Sequence, residues 1–295
     1  MKLARFAAVA ISLTALVGLA GCATSAAPPA EETIETIVIG SQAYYSNEII
    51  AETYALILED AGYTVDRQFS LGQRDVYMPA LEAGEIDLFP EYTGNLLQFF
   101  NPAATETAAD DVYKALGSAL PAGLTALAMS PATDQDSYNV TMEFAAENSL
   151  VSIADLAKVS GLTLGGAPEL AERPYGPKGL LSVYGVTAEF QATGETTVDS
   201  LVAGIVDMAN VYSADPRIEQ LGLVTLTDPL GLFLASNVVP IASGEVSDFV
   251  VYLIDKVSAA MTAEDLVAMN VRSVDEKLSA NVIAKEWLVS KGLIK

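Results

Sequence analysis

Two stretches of the chain repeat one another. "LEAGEIDLFPEY" spans residues 81–92 and "LVAGIVDMANVY" spans 201–212, with Leu, Ala, Gly, Asp and Tyr recurring at identical spacing, 120 residues apart. In each copy a helical pattern stops at a glycine (Gly84, Gly204), a short apolar run carries an aspartate (Asp87, Asp207), and a tyrosine (Tyr92, Tyr212) lies just past the run. Such a repeat points to two similar lobes. The alternative is coincidence between two ordinary helix-to-strand units, against which the matching register of the tyrosines weighs. Open α/β sheets bind ligands outside the carboxyl ends of their strands. Two lobes facing each other would therefore set Tyr92 and Tyr212 on opposite sides of one cleft.

The surrounding pattern fits that plan, because short β-branched runs alternate with helical spacing, the mark of an α/β architecture. "TIVIG" (36–40) and "YTVDRQF" (63–69) read as strands. Between them Ser46 is placed to cap a helix whose apolar face is Ile49, Ile50, Thr53, Leu56 and Ile57, with Gly62 as its stop. "DVYMPALEAG" is helical in spacing despite Pro79, and "EIDLF" reads as a strand. Further on, "SIADLAKV" and "GPKGLLSVYG" read as helices, "LTLGG" and "IVDMANV" as strands. The terminal "SANVIAKEWLVSKG" is helical, with Trp287 as a core residue of the first lobe.

Composition removes most rival chemistries. The 295 residues include no histidine and one cysteine, Cys22, which excludes serine–histidine triads, cysteine proteases, histidine-ligated zinc and disulfide frameworks. Lys2 and Arg5 precede an uncharged run from Phe6 to Ala20, shorter than the roughly 20 residues of a membrane span, so residues 1–21 read as an export signal. "LAGC" (19–22) resembles the lipobox of bacterial lipoproteins, which implies that Cys22 is lipidated and that residues 22–35 form a tether. Without the signal the net charge goes from −23 to −25, which argues against a nucleic-acid partner.

"IVIGSQ" (37–42), "IDLFPEYTG" (86–94), "DQDSY" (134–138), "ERPYG" (172–176) and "DPLGLF" (228–233) stand in the order found in a known family. Through them the chain resembles the substrate-binding lipoproteins of ABC importers for quaternary-amine osmoprotectants: glycine betaine, carnitine and choline. The resemblance implies a two-lobed type II periplasmic-binding-protein fold with two hinge crossings. The first lobe is expected at 36–137 and 238–295, the second at 138–237. It implies no enzyme activity and no cofactor. The expected partners are a small quaternary amine, an ABC permease with its ATPase, and the outer face of the cytoplasmic membrane, where the protein is anchored as a monomer.

A trimethylammonium group has no N–H to donate and spreads its charge over methyls, so aromatic faces hold it best. The family's cage positions fall on Tyr92, Tyr138 and Tyr212. Where a fourth aromatic is usual this chain has Ser236, which leaves one side open unless Phe233, Tyr44, Tyr45 or Tyr175 closes it. For the ligand's polar end the resemblance points to Gln42, Asn95 and Arg173, an arginine able to receive a carboxylate. Asp87 and Glu91 read as structural carboxylates. A hydrolase would have to rest on paired carboxylates, and no motif specifies a pair. No clustered acidic loop marks a metal site. A binding lipoprotein for another small polar solute, or a sensory one, stays open.

Overall fold

A computed structural model describes residues 36–295. The signal, Cys22 and the tether expected at 1–35 lie outside them. The described strands form two five-stranded sheets. The first contains β1 (Thr36–Gly40), β2 (Thr64–Gln68), β3 (Leu88–Tyr92), β4 (Leu124–Ala126) and, after the second sheet, β10 (Val238–Ser243). The second contains β5 (Asp136–Val140), β6 (Leu162–Gly166), β7 (Ala188–Ala192), β8 (Met208–Tyr212) and β9 (Val224–Thr225). Their spatial orders, β2-β1-β3-β10-β4 and β7-β6-β8-β5-β9, share one plan. Three parallel strands meet an antiparallel strand that has just arrived from the other sheet. This is the two-lobed α/β fold of type II periplasmic binding proteins.

Helices cover both faces of each sheet, and the strand period of two sorts the core accordingly. In β3, Leu88 joins the cluster around Ile50, Leu58, Ile254 and Trp287, while its neighbour Phe89 joins Tyr77, Leu81 and Leu97 on the opposite face. In β8, Met208 packs with Leu164 and Leu180, and Ala209 with Val198 and Leu201. Trp287, on the helix Ala280–Ser290, is a core residue of the first lobe, as its spacing predicted. Among the described residues no helix is long and apolar enough to cross a membrane.

The repeated residues do the same work twice. Helix α1 spans Tyr45–Asp60 and α2 spans Arg74–Glu82; α2 and its counterpart Thr197–Val202 each end near a left-handed glycine, Gly84 (φ 73°) and Gly204 (φ 68°). Glycine adopts that conformation at less cost than residues that carry a Cβ. Asp87 then accepts the Val38 N–H at 2.7 Å and donates its own N–H to the Val38 carbonyl. Asp207 makes the corresponding pair with Thr163, accepting at 2.8 Å. Each aspartate thereby fixes the register of its strand against the parallel neighbour.

Local expectations are corrected in three places. The strands expected at "EIDLF" and "IVDMANV" begin at Leu88 and Met208, so Tyr92 and Tyr212 are terminal strand residues rather than residues beyond the strand. Ser46 is not a cap: α1 begins one residue before it, its hydroxyl is buried without a partner, and Asn47 accepts the Gln42 N–H instead. "SIADLAKV" forms a 3-10 turn, Ile153–Lys158.

Two crossings, 127–135 and 226–237, connect the sheets and are hydrogen-bonded to each other. Asp134 N–H donates to the Ser236 carbonyl at 3.0 Å and Val238 N–H to that of Ala132 at 2.9 Å. If the repeat is structural, Asp87→Ala and Asp207→Ala should each lower unfolding free energy by about 1–3 kcal/mol in urea titrations, the penalty for a backbone donor left unpaired. A loss confined to one variant would break the equivalence.

Candidate functional site

Sheet register sets the site. Tyr92, ending β3, lies opposite Val238, and Tyr212, ending β8, lies opposite Asp136. Both tyrosines therefore stand where chain enters from a crossing. Between the sheets lies a narrow cleft lined by side chains of both lobes. The first lobe contributes Gln42, Tyr44, Arg74, Tyr92 and Asn95; the second contributes Asp136, Glu169, Arg173, Tyr175 and Tyr212; Asp134 comes from a crossing.

Tyrosines make the apolar part of the wall. Tyr44 and Tyr212 approach across the cleft with ring centroids 5.0 Å apart, tilted by 50°. Tyr92 is buried, its hydroxyl 3.4 Å from the Asn47 amide. Burial raises the phenols of Tyr44, Tyr92, Tyr175 and Tyr212 above their ordinary range. They are neutral at physiological pH, so the rings present quadrupoles and hydroxyl donors rather than charge.

The polar part is a chain of contacts joining the lobes. From α3 (Thr93–Phe100), Asn95 donates to Asp136 at 2.6 Å and to the Tyr175 hydroxyl at 2.9 Å, spanning from first lobe to second. Gln42 donates to the Tyr77 hydroxyl at 3.1 Å. Arg74 holds Glu91 in a buried two-point pair, both contacts 2.8 Å, and Glu91 also accepts from Tyr77 and from the Tyr92 N–H. Glu91 is thus structural, as expected, and anchors the residue before Tyr92. Among the described residues Arg173 forms no ion pair. Burial raises the Asp136 carboxyl, and pushes that of Asp134 up to about 7.

Gln42, Tyr44, Tyr92, Asn95, Arg173, Tyr175 and Tyr212 thus meet in one cleft. Tyr138 does not. It lies on the same side of β5 as Asp136 but a full pleat repeat, roughly 7 Å, further from the cleft. There it is fully buried, donating to the Tyr175 carbonyl at 2.6 Å with its ring edge on Phe233. Phe233 packs in the same second-lobe core, and Tyr45 stands behind Tyr44 at 4.8 Å. Ser236 is no gap in a wall either. Its hydroxyl donates to the Asn95 side chain at 2.6 Å and accepts the Asn95 N–H, capping the start of α3 from the crossing. The fit is close: a Cβ on Gly94 would lie 2.7 Å from both the Ala235 carbonyl and the Ser236 hydroxyl.

Arg74, Asp134, Asp136 and Glu169 are site residues that no sequence expectation named; the two aspartates had a signal. The signal was the "DQDSY" motif itself, whose two aspartates alternate toward one side of an entering strand.

A family model described as "Substrate binding domain of ABC-type glycine betaine transport system" matches residues 35–290. A curated relative, the glycine betaine-binding protein YehZ of Escherichia coli K12, is 28% identical over 280 residues, covering 88% of this chain and 92% of its own. The ergothioneine transport permease/binding protein EgtU of Helicobacter pylori G27 is 23% identical, covering 87% of this chain but 48% of its own length. Among solved structures, one of a glycine betaine/carnitine/choline ABC transporter has a TM-score of 0.72 at 21% identity, covering 88% of this chain and all of that one. That likeness shows the fold.

Ser236→Tyr, which restores an aromatic at that position, is expected to lower the melting temperature, because the ring has no room beside Gly94 and the cap on α3 is lost. Thermal unfolding checks this; an unchanged melting temperature with tighter ligand binding would contradict it.

Proposed function

The chain belongs to the family of substrate-binding domains of ABC-type glycine betaine transport systems, and from that premise we propose that it captures a quaternary-ammonium compatible solute in this cleft for delivery to an importer's permease and ATPase. The observation that carries the reading is the convergence of Tyr44, Tyr92 and Tyr212 on one cleft that also holds Arg173, which has no ion-pair partner among the described residues. Neutral tyrosine faces attract a trimethylammonium group through their quadrupoles, at about 0.5–2 kcal/mol per ring according to desolvation. Arg173 supplies the cation for a ligand carboxylate, and Gln42 and Asn95 supply neutral donors. Glycine betaine and ergothioneine, named in the relatives' descriptions, both join a trimethylammonium group to a carboxylate.

A binding domain of this kind holds its ligand without transforming it, so no residue is assigned a catalytic role. The first lobe, 36–126 with 238–295, and the second, 136–225, close on the ligand, and the closed shape is what the permease reads. In the same proposal Cys22 is the lipidated first residue of the mature monomer, held at the outer face of the cytoplasmic membrane.

Calorimetric titration with glycine betaine, carnitine, choline, proline betaine and ergothioneine is expected to show micromolar binding of at least one. Tyr92→Ala and Tyr212→Ala should each weaken it more than about tenfold, or ~1.4 kcal/mol, with the fold intact. Arg173→Ala should weaken carboxylate-bearing ligands more than choline. Silence across the panel, with a sugar or an amino acid binding instead, overturns the quaternary-amine reading.

A further inference from the structure

Asp134 is a buried carboxylate, 3% exposed, that lines the cleft and has no cationic partner among the described residues. Its two oxygens point to different lobes. Oδ2 accepts the Tyr44 hydroxyl at 3.2 Å, and Oδ1 accepts the Ala214 N–H at 3.0 Å, two residues after Tyr212. Its own N–H holds the other crossing at Ser236. No cation contacts it: of the cleft's two arginines Arg74 is paired with Glu91, and Arg173 makes no hydrogen bond or ion pair with Asp134 among the described residues. Tyr44, Tyr45, Tyr92 and Tyr212 are neutral, Asp136 and Asp215 add negative charge, and the nearby Arg217 is already paired with Asp215 at 2.6 Å. A buried charge without a partner is strongly disfavoured, so the group either keeps a proton or waits for a cation.

We propose that Asp134 is the counter-ion for the ligand's cationic group, so that ligand capture turns a lone buried hinge carboxyl into an ion pair that ties Tyr44 to the chain following Tyr212. The proton leaves to solvent as the ammonium arrives: Asp134–COOH and the cation become Asp134–COO⁻ paired with it, plus one H⁺. This rests on the quaternary-amine reading and deepens it. Tyrosine faces favour a cation through their quadrupoles, and Asp134 adds a full opposite charge to that preference. Because the same carboxyl bridges the lobes at the crossing, the charge is sensed where closure is governed.

The apo protein gives a first consequence. The Asp134 carboxyl is raised to about 7 by burial from the ordinary 3.8. The folded state therefore prefers it protonated, and the stability this confers is present below about pH 4 and lost as pH rises through 7. Asp134→Asn should melt higher than wild type at pH 8, with the gap closing toward pH 4.

The deciding experiment compares choline with 3,3-dimethylbutanol, its uncharged isostere, by calorimetry from pH 5.5 to 8.5. In the wild type, choline affinity should rise with pH by tenfold or more, with proton release measured in buffers of different ionisation enthalpy, while the isostere's affinity does not rise. In Asp134→Asn the preference for choline over its isostere should fall at least tenfold and the rise with pH should vanish. Wild-type choline binding that is flat in pH, or an unchanged preference in Asp134→Asn, overturns the role of Asp134 and leaves the cage standing. Should the variant not fold, the wild-type pH profiles of the two ligands decide alone. Absence of any quaternary-amine binding to the wild type overturns both readings.

Discussion

Antiparallel pairing at the two crossings governs the rest of the structure. Tyr92 lies opposite Val238 and Tyr212 opposite Asp136, and each partner begins a strand that has just come from the other lobe. The two aromatic walls are therefore registered to the hinge rather than simply displayed by their own lobes. The crossings are themselves hydrogen-bonded, Asp134 to Ser236 and Ala132 to Val238, so both walls refer to one short piece of structure. A hinge built this way can open by changing backbone angles in a few residues while each tyrosine keeps its place on its sheet.

Buried polar contacts then fix the parts that the sheets leave free. Glu91 accepts from Arg74, from Tyr77 and from the Tyr92 N–H, so the chain entering the aromatic wall is held by charge-assisted bonds inside the first lobe. Ser236 caps α3, and α3 in turn presents Asn95 to Asp136 and Tyr175 of the second lobe. Hinge, helix start and inter-lobe contact form one connected network. Removal of a single member leaves buried partners unsatisfied, which costs more than the bond itself contributes.

Much of this was legible in the sequence, for a definite reason. Gly84 and Gly204, Asp87 and Asp207, Tyr92 and Tyr212 each serve a backbone requirement that recurs in both lobes: a left-handed helix end, a register staple and a strand terminus. Repeated geometry leaves repeated residues. Positions along a strand were harder to read. Alternation assigns Asp136 and Tyr138 to one side of β5 but does not say which of the two reaches the cleft, and the aromatic residue proved to be the deeper one. What Ser236 does in place of an aromatic is not readable locally, because its contacts, Gly94 and Asn95, lie more than a hundred residues away in the chain. Asp134 was unreadable for a related cause. Its significance comes from having no ion-pair partner among the described residues, and the lack of a spatial contact leaves no mark on a local motif.

In the proposed function Tyr44, Tyr92 and Tyr212 close around a cation at the meeting of the two lobes. A crystal structure of the protein grown with glycine betaine tests it most directly. The expected result is a trimethylammonium nitrogen within about 6 Å of the centroids of these rings, beside Asp134, with the ligand carboxylate on Arg173. A ligand seated elsewhere, or held in this cleft with its ammonium group turned away from the tyrosines, would contradict it.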